Sequence, residues 1–254
     1  MRKARKEPYL EAAEVLASRR NAVALTGAGI SVESGVPAFR GAQGMWERFD
    51  PSEYATIGAF LEDPGKVWKM LSEMIDVLKK AAPNPAHNVL AELERMGILR
   101  SVITQNVDGL HQAAGSRKVI EFHGNPSELV CITCWKRYPS LEKVAEGIPP
   151  RCSCGAILKP DIVFFGEPIP WHAQEDSETE ARECSVLLVI GTSAQVAPAS
   201  EIPRIARRQG SFIIEINPEE TLLTANVTDI HLRSGASEAL ELLLGHLKRE
   251  KGTI

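Results

Sequence analysis

Nowhere in this 254-residue chain is there an apolar run long enough to cross a bilayer; the longest stretches, such as SVLLVIG at 185–191, are far too short for a spanning helix. A surplus of positive charge is also missing. Lysine and arginine number 29 against 33 aspartates and glutamates, a net charge of −4, so no global basic field exists and stable nucleic-acid binding is not expected beyond a local patch. The amino-terminal MRKARKEPYL carries four cations but leads into EAAEVLASRR, not into an apolar core with a cleavage site. No secretory signal is read there, and a cytoplasmic setting is expected. Internal repeats, low-complexity tracts and linkers are absent too, which speaks against a separate second domain.

What is present is the composition of an ordinary globular protein, 44% hydrophobic and 24% charged, with enough chain for a large core. Strand-length runs rich in Val and Ile recur as NAVALT (21–26), LRSVITQN (99–106), KVIEFHG (118–124), CSVLLVIGTS (184–193) and SFIIEIN (211–217). Helical patterns lie between or after them, among them AHNVLAELERMG (86–97) and ASEALELLLGHLKRE (236–250). Runs that read as buried on both faces, alternating with helices, predict an α/β fold with a parallel sheet covered on both sides.

Two intervals break the rhythm. About 70 residues separate the first strand from the second, more than one crossover helix requires, so a helical module is expected there. Val67, Met70, Leu71, Met74 and Leu78 recur in it at helical spacing and read as a core-facing stripe. Residues 125–160 replace the strand-helix alternation with turn residues and cysteines. The expected layout is one unit over 1–254, with Rossmann-like sheet segments near 8–35, 86–124 and 165–250. A helical insertion would occupy 36–85 and a small zinc-ribbon module 125–164.

Four of the five cysteines fall in that second interval. Cys131-x-x-Cys134 is followed after seventeen residues by Cys152-x-Cys154. Four thiolates on two tight turns close a tetrahedral zinc shell and leave no position for a catalytic water, so one structural zinc is expected. Reduced or disulfide-linked cysteines are the alternative. Cys184, before an apolar run, reads as a buried hydrophobe.

The stretch ALTGAGISVESGVPAFRG (24–41) ends a strand in Gly27-Ala28-Gly29, as a dinucleotide-binding loop does, but Val32 stands where the third glycine of G-x-G-x-x-G belongs. Gly27 and Gly29 would let backbone N–H groups approach a pyrophosphate. Open α/β sheets bind ligands at the carboxyl ends of their strands, so Gly191-Thr192-Ser193 and Asn217 are further candidates. The same rule places Gln105, Asn106 and Asp108 of TQNVDGLH, and His123 of EFHG, on one crevice. His123 is the candidate general base, with His111 as its competitor; His87, at a helix start, reads as capping or packing.

GAGIS with SGVPAFRG, then TQNVDGLH, EFHG, the split cysteine pairs, KPDIVFFGE, GTS and INPE occur in the order found in sirtuins. The chain resembles that family of NAD-dependent protein lysine deacylases over nearly its whole length. The resemblance implies that NAD is consumed: the loop forces nicotinamide toward a pocket where its glycosidic bond breaks. Gly27, Ala28, Gly29, Ser31, Phe39 and Arg40 would hold NAD, with Gln105, Asn106 and Asp108 around the ribose and nicotinamide. Gly191, Thr192, Ser193, Asn217 and Glu219 would contribute from later strands. The family's base falls on His123, with Asn106 as a second catalytic residue.

The implied reaction begins when the acyl-lysine carbonyl oxygen attacks the anomeric carbon of the nicotinamide ribose. His123 then draws a proton through the ribose hydroxyls, and free lysine, nicotinamide and 2'-O-acyl-ADP-ribose result. Val163, Phe164, Phe165, Gly166 and Glu167 resemble the loop that pairs with the substrate backbone, with Gln195 and Val196 on the other side, so acyl-lysine proteins or peptides are the expected partners. Ala38 departs from the family's frequent PDFR and leaves the subclass open. Leu71-x-x-Met74 stands where succinyl-preferring members carry Tyr-x-x-Arg, which implies an apolar acyl pocket. Mono-ADP-ribosyl transfer, a Rossmann dehydrogenase and a zinc-dependent binding module are the competing functions, and the oligomeric state is left open.

Overall fold

The computed structural model describes residues 7–38 and 45–251. Helix α1 (Pro8–Arg19) leads into strand β1 (Ala22–Thr26) and a 3-10 turn over Ala28–Ser34. Helices α2 (Met45–Arg48), α3 (Pro51–Tyr54), α4 (Ile57–Glu62) and α5 (Pro64–Leu78) come next, then α6 (Pro85–Arg95) and β2 (Leu99–Thr104). After α7 (Leu110–Ala113) follow β3 (Val119–Glu121), β4 (Gly124–Val130), β5 (Arg137–Pro139), α8 (Ser140–Glu146) and β6 (Lys159–Ile162). The remainder alternates: α9 (Trp171–Glu183), β7 (Val186–Ile190), α10 (Ile202–Arg208), β8 (Phe212–Ile216), β9 (Ile230–Leu232) and α11 (Ala236–Lys251).

The larger sheet has the order β3-β2-β1-β7-β8-β9, with every neighbouring pair parallel. Successive side chains of a strand point to opposite faces, and here both faces are covered. Ala22 and Ala24 join one core with Leu16 of α1, Leu90 of α6 and Leu243 of α11. Val23 and Leu25 join a second with Ala181 of α9 and Ala206 of α10. The α/β reading, a parallel sheet with helices on both sides, holds. The strands are shorter than their apolar runs; at β2, β7 and β8 the residues after Thr104, Ile190 and Ile216 leave the sheet at its carboxyl edge.

Local chemistry starts the helices. Asn84 caps α6 by accepting the Ala86 N–H at 2.9 Å, Pro85 opens the first turn, and His87 Nδ1 accepts the Asn84 N–H at 3.3 Å. His87 is thus a capping and packing residue. Asp63 caps α5 through the Lys66 N–H in the same way.

Helix α9 gives no helical signal in sequence, because its buried face is made of Ala173, Ser177, Glu180 and Ala181 in place of large apolar residues. Strand β9 is three residues long and likewise escaped the reading.

KVIEFHG does not form one strand. β3 ends at Glu121, and after Phe122 and His123 the chain enters β4 of a three-stranded antiparallel sheet, order β5-β4-β6. Gly124 makes that passage with φ +78°, and a Cβ there would lie 2.3 Å from the Asp161 carbonyl oxygen. This small sheet and the helical segment before α6 share one core, in which Trp68 of α5 donates its Nε1–H to the Leu158 carbonyl at 2.8 Å.

Candidate active site

Strand register builds the site. Thr26 pairs with Thr104 on one side and with Ile190 on the other, and Ile190 pairs with Ile216. The next residues, Gly27, Gln105, Gly191 and Asn217, therefore stand side by side at the carboxyl ends of four parallel strands. Between β1 and β7 the strand order reverses, which is where open α/β sheets leave a ligand crevice. A cavity of about 710 Å³ occupies that edge.

Gly27, Ala28, Gly29, Gln105, Asn106 and His123 line it, with Gly191, Thr192, Ser193, Asn217 and Glu219 from the later strands. Val163 to Glu167 and Val196 form a further wall. Ser31 and Asp108 sit against a smaller adjoining cavity, together with Asn106. Phe39 and Arg40 lie outside the described residues. Val32, in place of a third glycine, is half exposed and lines the main cavity.

The glycines have a cause beyond ligand approach. Gly27 and Gly29 already donate their N–H groups to the carbonyls of Ile190 and Gly191, at 3.0 and 2.8 Å. A Cβ on Gly29 would lie 2.7 Å from the Gly191 Cα, so the two loops interlock only without side chains. The N–H groups of Gly27 and Gly29 themselves are thus spent on loop closure.

The polar side chains form two sets of hydrogen bonds. Asn106 donates from Nδ2 to the Gly27 carbonyl and to Ser31 Oγ, both at 3.1 Å, and Ser31 Oγ donates to Asp108 Oδ2 at 2.6 Å. Gln105 Nε2 donates to Thr192 Oγ1 at 3.0 Å, and Asn217 Nδ2 to the Thr192 carbonyl at 3.2 Å.

His123 Nδ1 lies 2.8 Å from the Gln105 carbonyl oxygen. A carbonyl only accepts, so Nδ1 carries the proton and the neutral ring keeps its lone pair on Nε2. Burial pushes the His123 pKa below its ordinary value, opposed by that carbonyl bond, and favours the neutral base. His111 is placed otherwise. Its Nε2 lies 2.9 Å from Thr26 Oγ1 and its ring centroid 4.8 Å from that of His87, beneath the sheet edge, where burial drives its pKa down to about 3.

On the other side of the cavity stand Met70, Leu71 and Met74 of α5. The stripe read as core-facing therefore serves both core and cavity. The described lining residues include Glu33, Glu167 and Glu219 and no lysine or arginine.

In the small sheet the four sulfurs of Cys131, Cys134, Cys152 and Cys154 lie within 4.8 Å of one another. The Cys131–Cys154 and Cys134–Cys152 separations are 3.6 and 3.5 Å, too long for a disulfide of about 2.05 Å. They suit the ~3.8 Å edge of a tetrahedron with Zn–S bonds of about 2.3 Å. Cys184 is buried elsewhere, against Ser211.

Sequence reasoning missed two charged residues that hold this site. Lys159 in AILKP and Glu215 in FIIEI follow apolar residues in the sequence, but their burial and their partners show only in the folded structure.

Fold and cavity together define an α/β protein with a nucleotide-type crevice beside a four-cysteine module. Residues 27–198 match the sequence pattern of the Sir2 family. An NAD-dependent protein deacylase 2 of Pyrobaculum aerophilum is 47% identical over 245 residues, 96% of this chain and 98% of that one. A solved structure described as giving the structural basis for the mechanism and regulation of Sir2 enzymes superposes with a TM-score of 0.91 at 44% identity, covering 96% and 98% of the two chains. The structure of Sir2Af2 bound to a myristoylated histone peptide gives 0.83 at 38% identity, with 97% and 99% covered. The chain belongs to the Sir2 family.

Proposed function

We propose that this chain is an NAD-dependent protein deacylase, transferring an acyl group from lysine to ADP-ribose and releasing nicotinamide and free lysine. The observation that carries the residue assignment is His123. Its ring is fixed by the Gln105 carbonyl with Nε2 unprotonated, in a cavity that also holds the glycine loop and the Val163–Glu167 wall. NAD would lie along the strand ends, with Gly27 to Gly29, Gly191 to Ser193, Asn217 and Glu219 lining its path. Asn106, Ser31 and Asp108 form the polar network beside the smaller cavity, suited to an amide such as that of nicotinamide.

His123 Nε2 would take the proton that frees a ribose oxygen for attack on the acyl carbon. The peptide would lie against the Val163–Glu167 wall. Phe165 has its own N–H and C=O bonded to Ala55 and Ile57, so the pairing edge falls on the residues around it, with Val196 opposite. Met70, Leu71 and Met74 would face the acyl chain, the chemistry that a fatty acyl group such as myristoyl, bound by Sir2Af2, also presents.

The cysteine cluster fits a structural zinc, which would pin the small sheet's knuckles. A reducing, cytoplasmic setting suits those four thiols. Among the described residues no helix is long and apolar enough to cross a membrane.

Mass spectrometry of products from NAD and an acetyl-lysine peptide tests the function. Free lysine peptide with acetyl-ADP-ribose is expected, whereas label from NAD retained on protein would establish ADP-ribosyl transfer instead.

A further inference from the structure

The Val163–Glu167 wall is a turn, and besides its backbone bonds to His123, Ala55 and Ile57 one buried cation joins its two ends. Lys159, at the start of β6, is 4% exposed, yet its ammonium is fully engaged. Nζ donates to the Ile162 carbonyl at 2.6 Å and to the Pro160 carbonyl at 3.2 Å, and pairs with Glu167 Oε2 at 2.9 Å. It also lies 4.6 Å from the centroid of the Phe164 ring. Glu167 Oε2 accepts the Phe164 N–H at 2.8 Å, and the Glu167 N–H returns to the Phe164 carbonyl at 3.0 Å. One ammonium thus holds both ends of the turn.

A buried ion pair is a poor stabiliser compared with apolar side chains of the same size, but it fixes one geometry, because each charge left alone would be stranded. The geometry fixed here is that of the peptide wall. The named partners of the Lys159 ammonium, Pro160, Ile162, Phe164 and Glu167, all belong to this turn or its approach. The nucleotide edge at Gly27, Gly191 and Asn217 has bonds of its own.

We infer that Lys159 is a positioning residue for the acyl-peptide substrate: through Glu167 it holds the Val163–Glu167 edge in the one conformation against which the peptide main chain pairs. The inference rests on the deacylase reading given above.

The test uses the full chain with NAD and an acetyl-lysine peptide, varying each in turn, with ADP-ribose binding and Tm as further readouts. Lys159→Met is expected to raise the peptide KM at least about tenfold, equivalent to about 1.4 kcal/mol, with KM for NAD and ADP-ribose affinity near wild type. Lys159→Arg, which keeps the charge, is expected to recover most of the loss. If Lys159→Met does not fold, Lys159→Gln retains a donor for the Ile162 carbonyl while breaking the ion pair, and the same peptide-selective rise is read there. A wild-type peptide KM in the variant that folds, or equal rises in both KM values with a lowered Tm, overturns the inference. Failure of the wild-type protein to consume the peptide would instead overturn the deacylase reading.

Discussion

Val163 donates its backbone N–H to the carbonyl oxygen of His123 at 2.9 Å, so the wall offered to a peptide is fastened to the residue offered as the base. The ring of that residue is held independently, by the Gln105 carbonyl at 2.8 Å. The imidazole, the strand-end edge at Gln105 and the Val163–Glu167 wall are thereby linked to one another by hydrogen bonds.

His123→Ala is expected to lower deacylation by at least about 10²-fold, the usual contribution of a positioned base, while ADP-ribose binding and circular dichroism stay near wild type. The pH profile carries a sign. Burial lowers the His123 pKa, and the neutral ring is the form the base role requires, so the midpoint of the acid limb of kcat/KM should lie below the ordinary imidazole value of about 6.5. The same shift withdraws stability as pH falls below about 6.5, because the unfolded chain binds the proton first. An acid limb at or above pH 6.5, or full turnover in the alanine variant, would remove His123 from the role.

One zinc per chain is expected by elemental analysis, lost in Cys131→Ala and kept in Cys184→Ser. Chelation should abolish activity although no cysteine lines the cavity. The physical route is short: β4 begins at Gly124, directly after His123, and pairs with Ile162, directly before Val163. Loosening the small sheet moves base and wall apart. A metal-free protein that stays folded and fully active would refute this.

The parallel sheet was legible because β1, β2, β7 and β8 are nearly continuous runs of buried residues. The four sulfurs were legible from spacing alone. The cysteine module's partner was not: Trp68 and Phe60 of the helical segment pack on Leu129 and Leu158, a contact between stretches far apart in sequence. Helix α9 was invisible because its inner face uses small residues and Glu180, satisfied by Arg100, Lys118 and Ser101. Period and spacing reveal apolar faces and ligand turns, whereas paired buried charges such as Lys159 and Glu167 show themselves only in three dimensions.

Acyl selectivity follows from the walls. A succinyl carboxylate placed near Leu71 and Met74 loses hydration without gaining a cation among the described lining residues, a cost of several kcal/mol, and Glu33 and Glu219 add like charge around the cavity. An aliphatic chain gains about 0.8 kcal/mol per buried CH₂ there. The kcat/KM for acetyl-lysine or fatty-acyl-lysine peptides should exceed that for the matched succinyl peptide by roughly tenfold or more, about 1.4 kcal/mol of discrimination. Met74→Arg should narrow that ratio. Equal succinyl efficiency in the wild-type protein would show that a cation reaches the acyl group.

The last expectation concerns the opposite side of the cavity. Glu215 on β8 is 1% exposed, and its carboxylate accepts hydroxyl bonds from Thr221, Thr224 and Thr228 at 2.5, 2.9 and 2.7 Å. Those threonines belong to the loop that leaves Asn217 and returns to β9, and Leu223 anchors it in the core. Asn217 and Glu219, at the start of that loop, line the cavity where NAD is proposed to lie and are joined by the Glu219 N–H to Asn217 Oδ1 bond at 3.2 Å. The double variant Thr221→Val with Thr224→Val keeps the side-chain shape and removes two donors to a buried carboxylate. Each such bond is worth about 1.5–3 kcal/mol, so stability should fall by a few kcal/mol in denaturant melts. With the protein still folded, KM for NAD should rise severalfold and KM for peptide should stay, the reverse of the split expected for Lys159→Met. A double variant with unchanged NAD affinity would mean that the hydroxyl bonds of Thr221 and Thr224 to Glu215 do not position Asn217 and Glu219.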